Sequence, residues 1–260
     1  MVSKDSDSFF KLPRGLIISS QASLGEPLND PEMLAAMAES GILGGAVAAR
    51  LEGVESIRAF KRRRPDIPVI GLIKTTPPLA VALLDAVYIT PSIHEVQLLI
   101  EAGADWIALD ATHREHALPL SNAGRVALLL DDARCAILDS GRNIGLWADC
   151  ASLRDGLSAI DLGFDVVSTT LSGYTRETVA SAAEPEPGPD FHLLSALVQS
   201  VQANQHSTQV VLEGRVWEPW QVREAFDLGA HAVVVGSAIT RPILMSRRFC
   251  NAALGEKIAR

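Results

Sequence analysis

The chain has 260 residues, of which 48% are hydrophobic, 21% charged and only 5% aromatic; this composition can bury a large core and excludes a disordered or low-complexity chain. A formal net charge of −8 argues against broad binding to a phosphate backbone, which needs a basic face, but leaves room for a small anion held by a few amides and an arginine. Cys135, Cys150 and Cys250 lie far apart without CxxC spacing, the N-terminus has no apolar signal core, and no stretch approaches the ~18 apolar residues of a membrane span, so a cytoplasmic chain without structural disulfides is expected.

Residues 1–12 read as a disordered or loosely attached lead-in, and 13–260 as one domain. The first strand is 16–20 (LIISS), closed by Gln21 and a loop. Asp30 offers an N-cap with Pro31 at the first helical position, and the helix is expected to stop at Ser40, before Gly41. The second strand, 46–50, ends in Arg50. Residues 54–64 form a helix whose last turn, Lys61-Arg62-Arg63-Arg64, complements the helix dipole. The third strand is the apolar run Val69-Ile70-Gly71-Leu72-Ile73, which presents Lys74 at its end. An irregular segment and a short extended piece, 86–90, lead to a helix at 93–102 capped by Ser92.

The fourth strand, 106–109, ends at Asp110, and a long amphipathic helix covers 122–140. The fifth strand, 144–148, ends at Asp149; Ser152 caps a helix over 153–162. The sixth strand, 166–168, ends in Thr169-Thr170, and a proline-rich loop at 184–190 precedes a helix at 191–203. The seventh strand, 209–212, ends at Glu213-Gly214, followed by a helix at 218–228. The eighth, 232–235, ends at Gly236-Ser237, and a last helix covers 243–254. Eight short apolar strands alternating with helices predict an α/β fold of the (β/α)8 barrel type. The joints Ala102-Gly103-Ala104, Leu162-Gly163-Phe164 and Leu228-Gly229-Ala230 repeat one architecture, a left-handed glycine between helix and strand. An open doubly wound sheet is the competitor, but no GxGxxG or GxxxxGK[ST] follows the first strand.

In such a barrel the strand C-termini carry the chemistry. The residues there are Gln21, Arg50, Lys74, Asp110, Asp149, Thr169-Thr170, Glu213 and Gly236-Ser237. Carboxylates around one lysine and one arginine could hold a polar substrate and move its protons, and Lys74 could equally form an imine. The small residues after strands seven and eight could cradle a phosphate on their backbone amides. His113 and His116 lack a third ligand and read as a solvated loop, Cys150 as a buried small residue, Trp217 and Trp220 as packing or an oligomer contact, and Arg247-Arg248 as a solvated face.

The chain resembles the N-acetylmannosamine-6-phosphate 2-epimerase family at nearly every strand end. The matching pieces include Ile18-Ser19-Ser20-Gln21-Ala22 with Gly25-Glu26-Pro27-Leu28, Gly44-Gly45-Ala46-Val47 leading to Arg50, and Pro68-Val69-Ile70-Gly71-Leu72-Ile73-Lys74. Ala108-Leu109-Asp110-Ala111-Thr112, Ala148-Asp149, the run from Ser168 to Thr175 and Pro189-Asp190-Phe191 continue the series. Glu213-Gly214-Arg215 and the run from Val235 to Pro242 close it. The resemblance implies a TIM barrel of the ribulose-phosphate-binding type that interconverts N-acetylmannosamine 6-phosphate and N-acetylglucosamine 6-phosphate in sialic acid breakdown. It implies Lys74 as the catalytic acid/base and Glu213 as its partner, with Asp149, Arg50 and Gln21 holding the sugar; taken with the strand-end reading, the candidates are Lys74, Glu213 and Asp149 as catalytic groups and Gln21, Arg50, Asp110, Thr169 and Thr170 as sugar contacts. Gly214, Gly236, Ser237 and Arg241 would hold the phosphate. No metal or organic cofactor is implied; the expected partner is a phosphorylated amino sugar, without nucleic acid or membrane, and a homodimer is left open.

The chain departs from the family pattern after Lys74, where the loop Thr75-Thr76-Pro77-Pro78-Leu79-Ala80-Val81-Ala82-Leu83-Leu84 is longer and more apolar. The basic segment after the fourth strand is reduced to His113-Arg114-Glu115-His116, and Ser237 stands where a second glycine is usual. A lyase forming an imine through Lys74 and a non-catalytic sugar-phosphate sensor are the rival readings.

Overall fold

A computed structural model describes residues 11–77, 79, 81–114, 123–179 and 188–255. Eight parallel strands close into a barrel in sequential order: β1 (Gly15–Ser20), β2 (Ala48–Glu52), β3 (Val69–Leu72), β4 (Trp106–Asp110), β5 (Gly145–Asp149), β6 (Val166–Ser168), β7 (Gln209–Glu213) and β8 (Ala232–Val235). The helices between and after them are α1 (Pro31–Leu43), α2 (Val54–Arg63), α3 (Ile93–Ala102), α4 (Ala123–Ser140), α5 (Leu153–Asp161), α6 (Phe191–Ala203), α7 (Pro219–Asp227), α8 (Ser237–Thr240) and α9 (Pro242–Ala253). The expected (β/α)8 barrel is what forms.

Strand periodicity of two divides the apolar residues into two cores. Ile17, Ala48, Ile70, Leu72, Trp106, Ala108, Trp147, Val166, Val211, Ala232 and Val234 point inward and fill the barrel, whereas Ile18, Leu51, Ile107, Leu109, Val167, Leu212 and Val233 point outward to meet the helices. The interior mixes two indoles with small residues. Trp106 fits because Gly145 faces it: a Cβ there would lie 2.2 Å from the indole. Gly71 serves the outer layer, where a Cβ would sit 2.9 Å from both Ala104 Cβ and Ile57 Cδ1.

The local signals explain the joints. Asp30 accepts hydrogen bonds from the amides of Glu32 and Met33 at the start of α1, and Ser92 and Ser152 form capping boxes with Glu95 and Asp155. Gly103, Gly163 and Gly229 adopt φ of 97°, 79° and 98°, the left-handed joint expected from the repeated spacing.

Several elements differ from the sequence expectation. The second strand runs Ala48–Glu52 rather than 46–50, because Arg50 lies inside the barrel instead of ending the strand. Helix α1 passes through Gly41 to Leu43; that glycine lets the helix approach β1, since a Cβ would be 2.6 Å from Ile18 Cγ1. The one-turn α8 after Gly236 was not expected. Leu12, assigned to the lead-in, is buried under the barrel, with its amide donating to Gln209 Oε1 at 3.1 Å and its carbonyl 2.6 Å from His231 Nε2; residues 1–10 lie outside the described ones.

Candidate active site

The mouth of the barrel at the strand C-termini opens into a cavity of about 290 Å³. Arg50, which shares the inward face of β2 with Ala48 and Glu52, lines it. Arg50 is only 1% exposed. Its Nη2 donates to Asp149 Oδ2 at 2.7 Å, and its Nε lies 3.1 Å from Glu213 Oε1. The guanidinium also stacks over Trp147, 5.5 Å from the ring centroid. Burial disfavours its charge, but the fields of Asp149 and Glu213 outweigh that and hold Arg50 firmly protonated. Arg50 Nη1 is buried with no hydrogen-bond partner, and Arg50 forms part of the cavity wall. A buried donor left open in this way is costly unless a ligand oxygen completes it.

Asp149 is fully buried beneath that wall and reaches the cavity only through its partners. Its Oδ1 accepts from Thr170 Oγ1 at 2.7 Å and from Ser168 Oγ at 3.1 Å. Thr170 Oγ1 also lies 3.0 Å from Glu213 Oε2. One hydroxyl proton serves one acceptor at a time, so the network is complete only when a second proton is supplied. Burial pushes the Glu213 carboxyl up to about 7; Arg50 opposes this and the Asp149 charge reinforces it. Near neutrality Glu213 is therefore divided between acid and base, the state a proton-transfer group needs.

Lys74 lines the same cavity. Its Nζ donates to Gln21 Oε1 at 2.7 Å and lies 3.4 Å from Glu52 Oε2. Gln21 is itself fixed by donating from Nε2 to Ser19 Oγ at 3.0 Å. The backbone around Lys74 leaves the sheet after Leu72 and pairs antiparallel with the extended piece expected at 86–90, through a bridge to Ile89. Thr90, in that piece, takes φ of 44°, an unfavourable conformation for a β-branched residue, and its Oγ1 accepts from Ile73 N at 3.2 Å.

The remaining wall comes from β7 and β8. Gly214, at φ 106°, follows Glu213, and at Gly236 a Cβ would lie 3.2 Å from Ser19 Cβ. With Ser237 they line the cavity beside Arg241, which pairs with Glu26 and donates from Nη2 to Ser23 Oγ at 3.1 Å. Small residues with free backbone approach next to a guanidinium suit a phosphate.

Of the residues singled out in the sequence, Gln21, Arg50, Lys74, Thr170, Glu213, Gly214, Gly236, Ser237 and Arg241 line one cavity. Asp149 supports them from beneath. Asp110 and Thr169 do not reach the cavity. The Asp110 carboxylate accepts from Thr112 N at 3.0 Å and Thr112 Oγ1 at 2.5 Å, and pairs with Arg114 at 3.5 Å; burial nevertheless holds its pKa above the usual carboxylate range. Thr169 Oγ1 turns outward, donating to Glu213 O at 2.9 Å and accepting from Glu213 N at 3.0 Å, so it fixes the end of β7.

The sequence reading gave no role to Glu52, Arg215 or Tyr88, and read Trp217 as packing or an oligomer contact. Glu52 was legible as the residue two beyond Arg50 on the same strand face. Arg215, at φ 55°, donates from Nε to Gly188 O at 2.9 Å and also reaches Ser172 O. Trp217 lines the cavity and carries Arg248 over its ring, 4.4 Å from the centroid. His113 is taken by Asp155 at 2.7 Å, whereas His116 lies outside the described residues. Burial pushes the Cys150 thiol well up, in keeping with an inert residue. The basic run of α2 makes ion pairs, Lys61 with Asp105 at 2.6 Å and Arg62 with Glu32 at 2.6 Å.

Residues 34–254 match the family described as "Putative N-acetylmannosamine-6-phosphate epimerase" (NanE). The protein of Caldanaerobacter subterraneus subsp. tengcongensis named "Putative N-acetylmannosamine-6-phosphate 2-epimerase" is 42% identical over 244 residues, covering 94% of this chain and 92% of its own. A protein of the same name from Cutibacterium acnes is 40% identical over 238 residues, covering 92% and 93%. The solved N-acetylmannosamine-6-phosphate 2-epimerase from Clostridium perfringens superposes with a TM-score of 0.76 at 38% identity, over 91% of this chain and 92% of its own. A solved structure described as "a putative deoxyribose-phosphate aldolase from Coccidioides immitis", at 14% identity and a TM-score of 0.59, shares the barrel alone. The chain belongs to the N-acetylmannosamine-6-phosphate epimerase family.

Proposed function

We propose that this protein is an isomerase that interconverts N-acetylmannosamine 6-phosphate and N-acetylglucosamine 6-phosphate by removing and replacing the proton at C2. One observation carries the reading: Lys74, Glu213 and Arg50 line the same cavity, with Arg50 Nε 3.1 Å from Glu213 Oε1 and the buried Arg50 Nη1 unpaired. Once the sugar opens to its aldehyde, the C2 proton becomes removable because the electron pair spreads onto O1. Lys74 takes that proton. The Arg50 N–H groups stabilise the charge that grows on O1. Glu213, poised near 7, exchanges protons with the hydroxyls as the ring opens and closes. Asp149 holds Arg50 and Thr170 in place. Return of the proton to the opposite face gives the epimer. Gly214, Gly236, Ser237 and Arg241 take the phosphate, and Gln21 and Thr170 take sugar hydroxyls.

The test is proton NMR of N-acetylmannosamine 6-phosphate with the enzyme in heavy water. Wild type washes deuterium into C2 while forming the epimer, and Lys74→Ala slows both by at least a hundredfold. Equal exchange in both proteins removes Lys74 from the mechanism. Borohydride trapping of the sugar on Lys74 would favour an imine-forming lyase instead, and binding without exchange a sensor. A cytoplasmic homodimer belongs to the same reading. No helix among the described residues is long and apolar enough to cross a membrane. Ile243 and Phe249 on α9 and Leu254 just after it are exposed, apolar surface that a second copy would cover. Sedimentation velocity reports the assembly.

A further inference from the structure

The carbon addressed by Lys74 carries the acylamino group in the reading above, and the inference drawn here rests on that reading. Lys74 and Ile89 face each other across the antiparallel bridge, with Thr75 N donating to Tyr88 O at 2.9 Å and Thr90 N to Ile73 O at 2.7 Å. Residues opposed in this way project to the same side, with Cβ atoms roughly 4.5–5.5 Å apart. Ile89 therefore lies beside the Lys74 stem, and both line the cavity.

That neighbourhood is apolar. Ile89 and Leu171 are 3% and 2% exposed, belong to the inner apolar cluster against which Tyr88 packs, and line the cavity together with the Tyr88 ring. Burial, reinforced by Asp110, pushes the Tyr88 phenol up to about 12, so the wall carries no charge at neutral pH. The other groups around Lys74 are polar and suit hydroxyl or carbonyl oxygens, not a methyl. The remaining apolar wall residues, Val216, Trp217 and Val234, lie on the β7–β8 side with the glycines assigned to phosphate.

The two loops that supply this corner are also fastened to each other. Arg176, after β6, makes two hydrogen bonds to Asp85, after β3, at 2.6 and 2.5 Å, and its amide donates to Leu84 O at 3.2 Å. A bidentate pair of this kind fixes orientation as well as distance. A corner with fixed walls discriminates by the length of what enters it.

We propose that Ile89, Leu171 and the Tyr88 ring form an acyl pocket that seats the methyl end of the substrate's N-acyl group and restricts the enzyme to short acyl chains. The test uses the purified full chain with N-acetyl-, N-propionyl- and N-butyrylmannosamine 6-phosphate, comparing kcat/KM within each preparation so that any unfolded fraction cancels from the ratio. Wild type should favour the acetyl over the propionyl sugar by about tenfold, the usual penalty for an extra methylene in a fitted pocket. Leu171→Ala should bring that ratio to about one or invert it. The milder Ile89→Val should move it the same way by a few-fold, and it keeps the test open if Leu171→Ala folds poorly. Unchanged ratios in active variants, or a wild type indifferent to acyl length, overturn the acyl pocket. A wild type that does not interconvert N-acetylmannosamine 6-phosphate at all overturns the parent reading instead.

Discussion

Glu213→Gln separates the cost of the Glu213 charge from the shape of its side chain. The native carboxyl titrates near 7 against an ordinary 4.5, the rise coming first from burial and then from Asp149, against the pull of Arg50. A folded-state pKa above the unfolded one means that the native state holds the proton more tightly. The stabilisation is thus fully present below about 4.5 and is lost as pH rises through about 7. The span is worth about 3 kcal/mol at ~1.4 kcal/mol per unit. The glutamine amide preserves the volume and a hydrogen bond to Thr170 but does not ionise. Chemical denaturation of wild type and variant from pH 4.5 to 8.5 reads the difference directly. Other titrating groups, including the raised Asp110 and the Asp155 carboxyl lowered by its hydrogen bonds to His113 and Ser152, largely cancel between the two proteins. Wild type should lose about 3 kcal/mol relative to the variant across that range, the loss centred between pH 5 and 7. Activity should fall by about 10²–10⁴-fold at every pH, since the amide carries no transferable proton. A stability difference that does not vary with pH would show that Glu213 is ionised throughout and is no proton shuttle.

Arg50→Met removes the partner of a fully buried carboxylate, Asp149, and should cost about 3–5 kcal/mol, read as a fall of roughly 10 °C or more in the thermal midpoint; a change below 1 kcal/mol would mean that Asp149 finds another partner. Gly71→Ala places a Cβ 2.9 Å from Ala104 Cβ and Ile57 Cδ1 and should destabilise by about 1–3 kcal/mol in the same melts without altering KM. Arg241→Ala should raise KM for the 6-phosphate sugar by about 10- to 100-fold while leaving kcat within a few-fold, because the phosphate lies away from C2; steady-state kinetics decides between that and a loss in kcat, which would assign Arg241 to the chemistry.

What the sequence conveys and what it hides follow from how far each residue's partners lie. The barrel is legible because its signals are local: Asp30 and Ser92 cap helices within three residues, and Gly103, Gly163 and Gly229 mark the joints. Lys74 and Glu213 are legible for a related reason, as polar residues at the ends of runs that need none. Arg50 misleads, because a charge inside an apolar strand is tolerated only when its partners, Asp149 at 99 residues' separation and Glu213 beyond, arrive from across the barrel. Asp110 and Asp149 look equivalent as strand-end carboxylates, and only the following residues tell them apart. Asp110 is followed at two and four positions by Thr112 and Arg114, which occupy it locally and withdraw it from the cavity. Asp149 is followed by Cys150 and Ala151, which offer no comparable donor, so its charge must be met by Arg50 and Thr170 from other strands. A strand-end carboxylate without polar neighbours downstream is thus the one available to a shared site, and its neighbour with a threonine and an arginine downstream is the one already spent on its own loop.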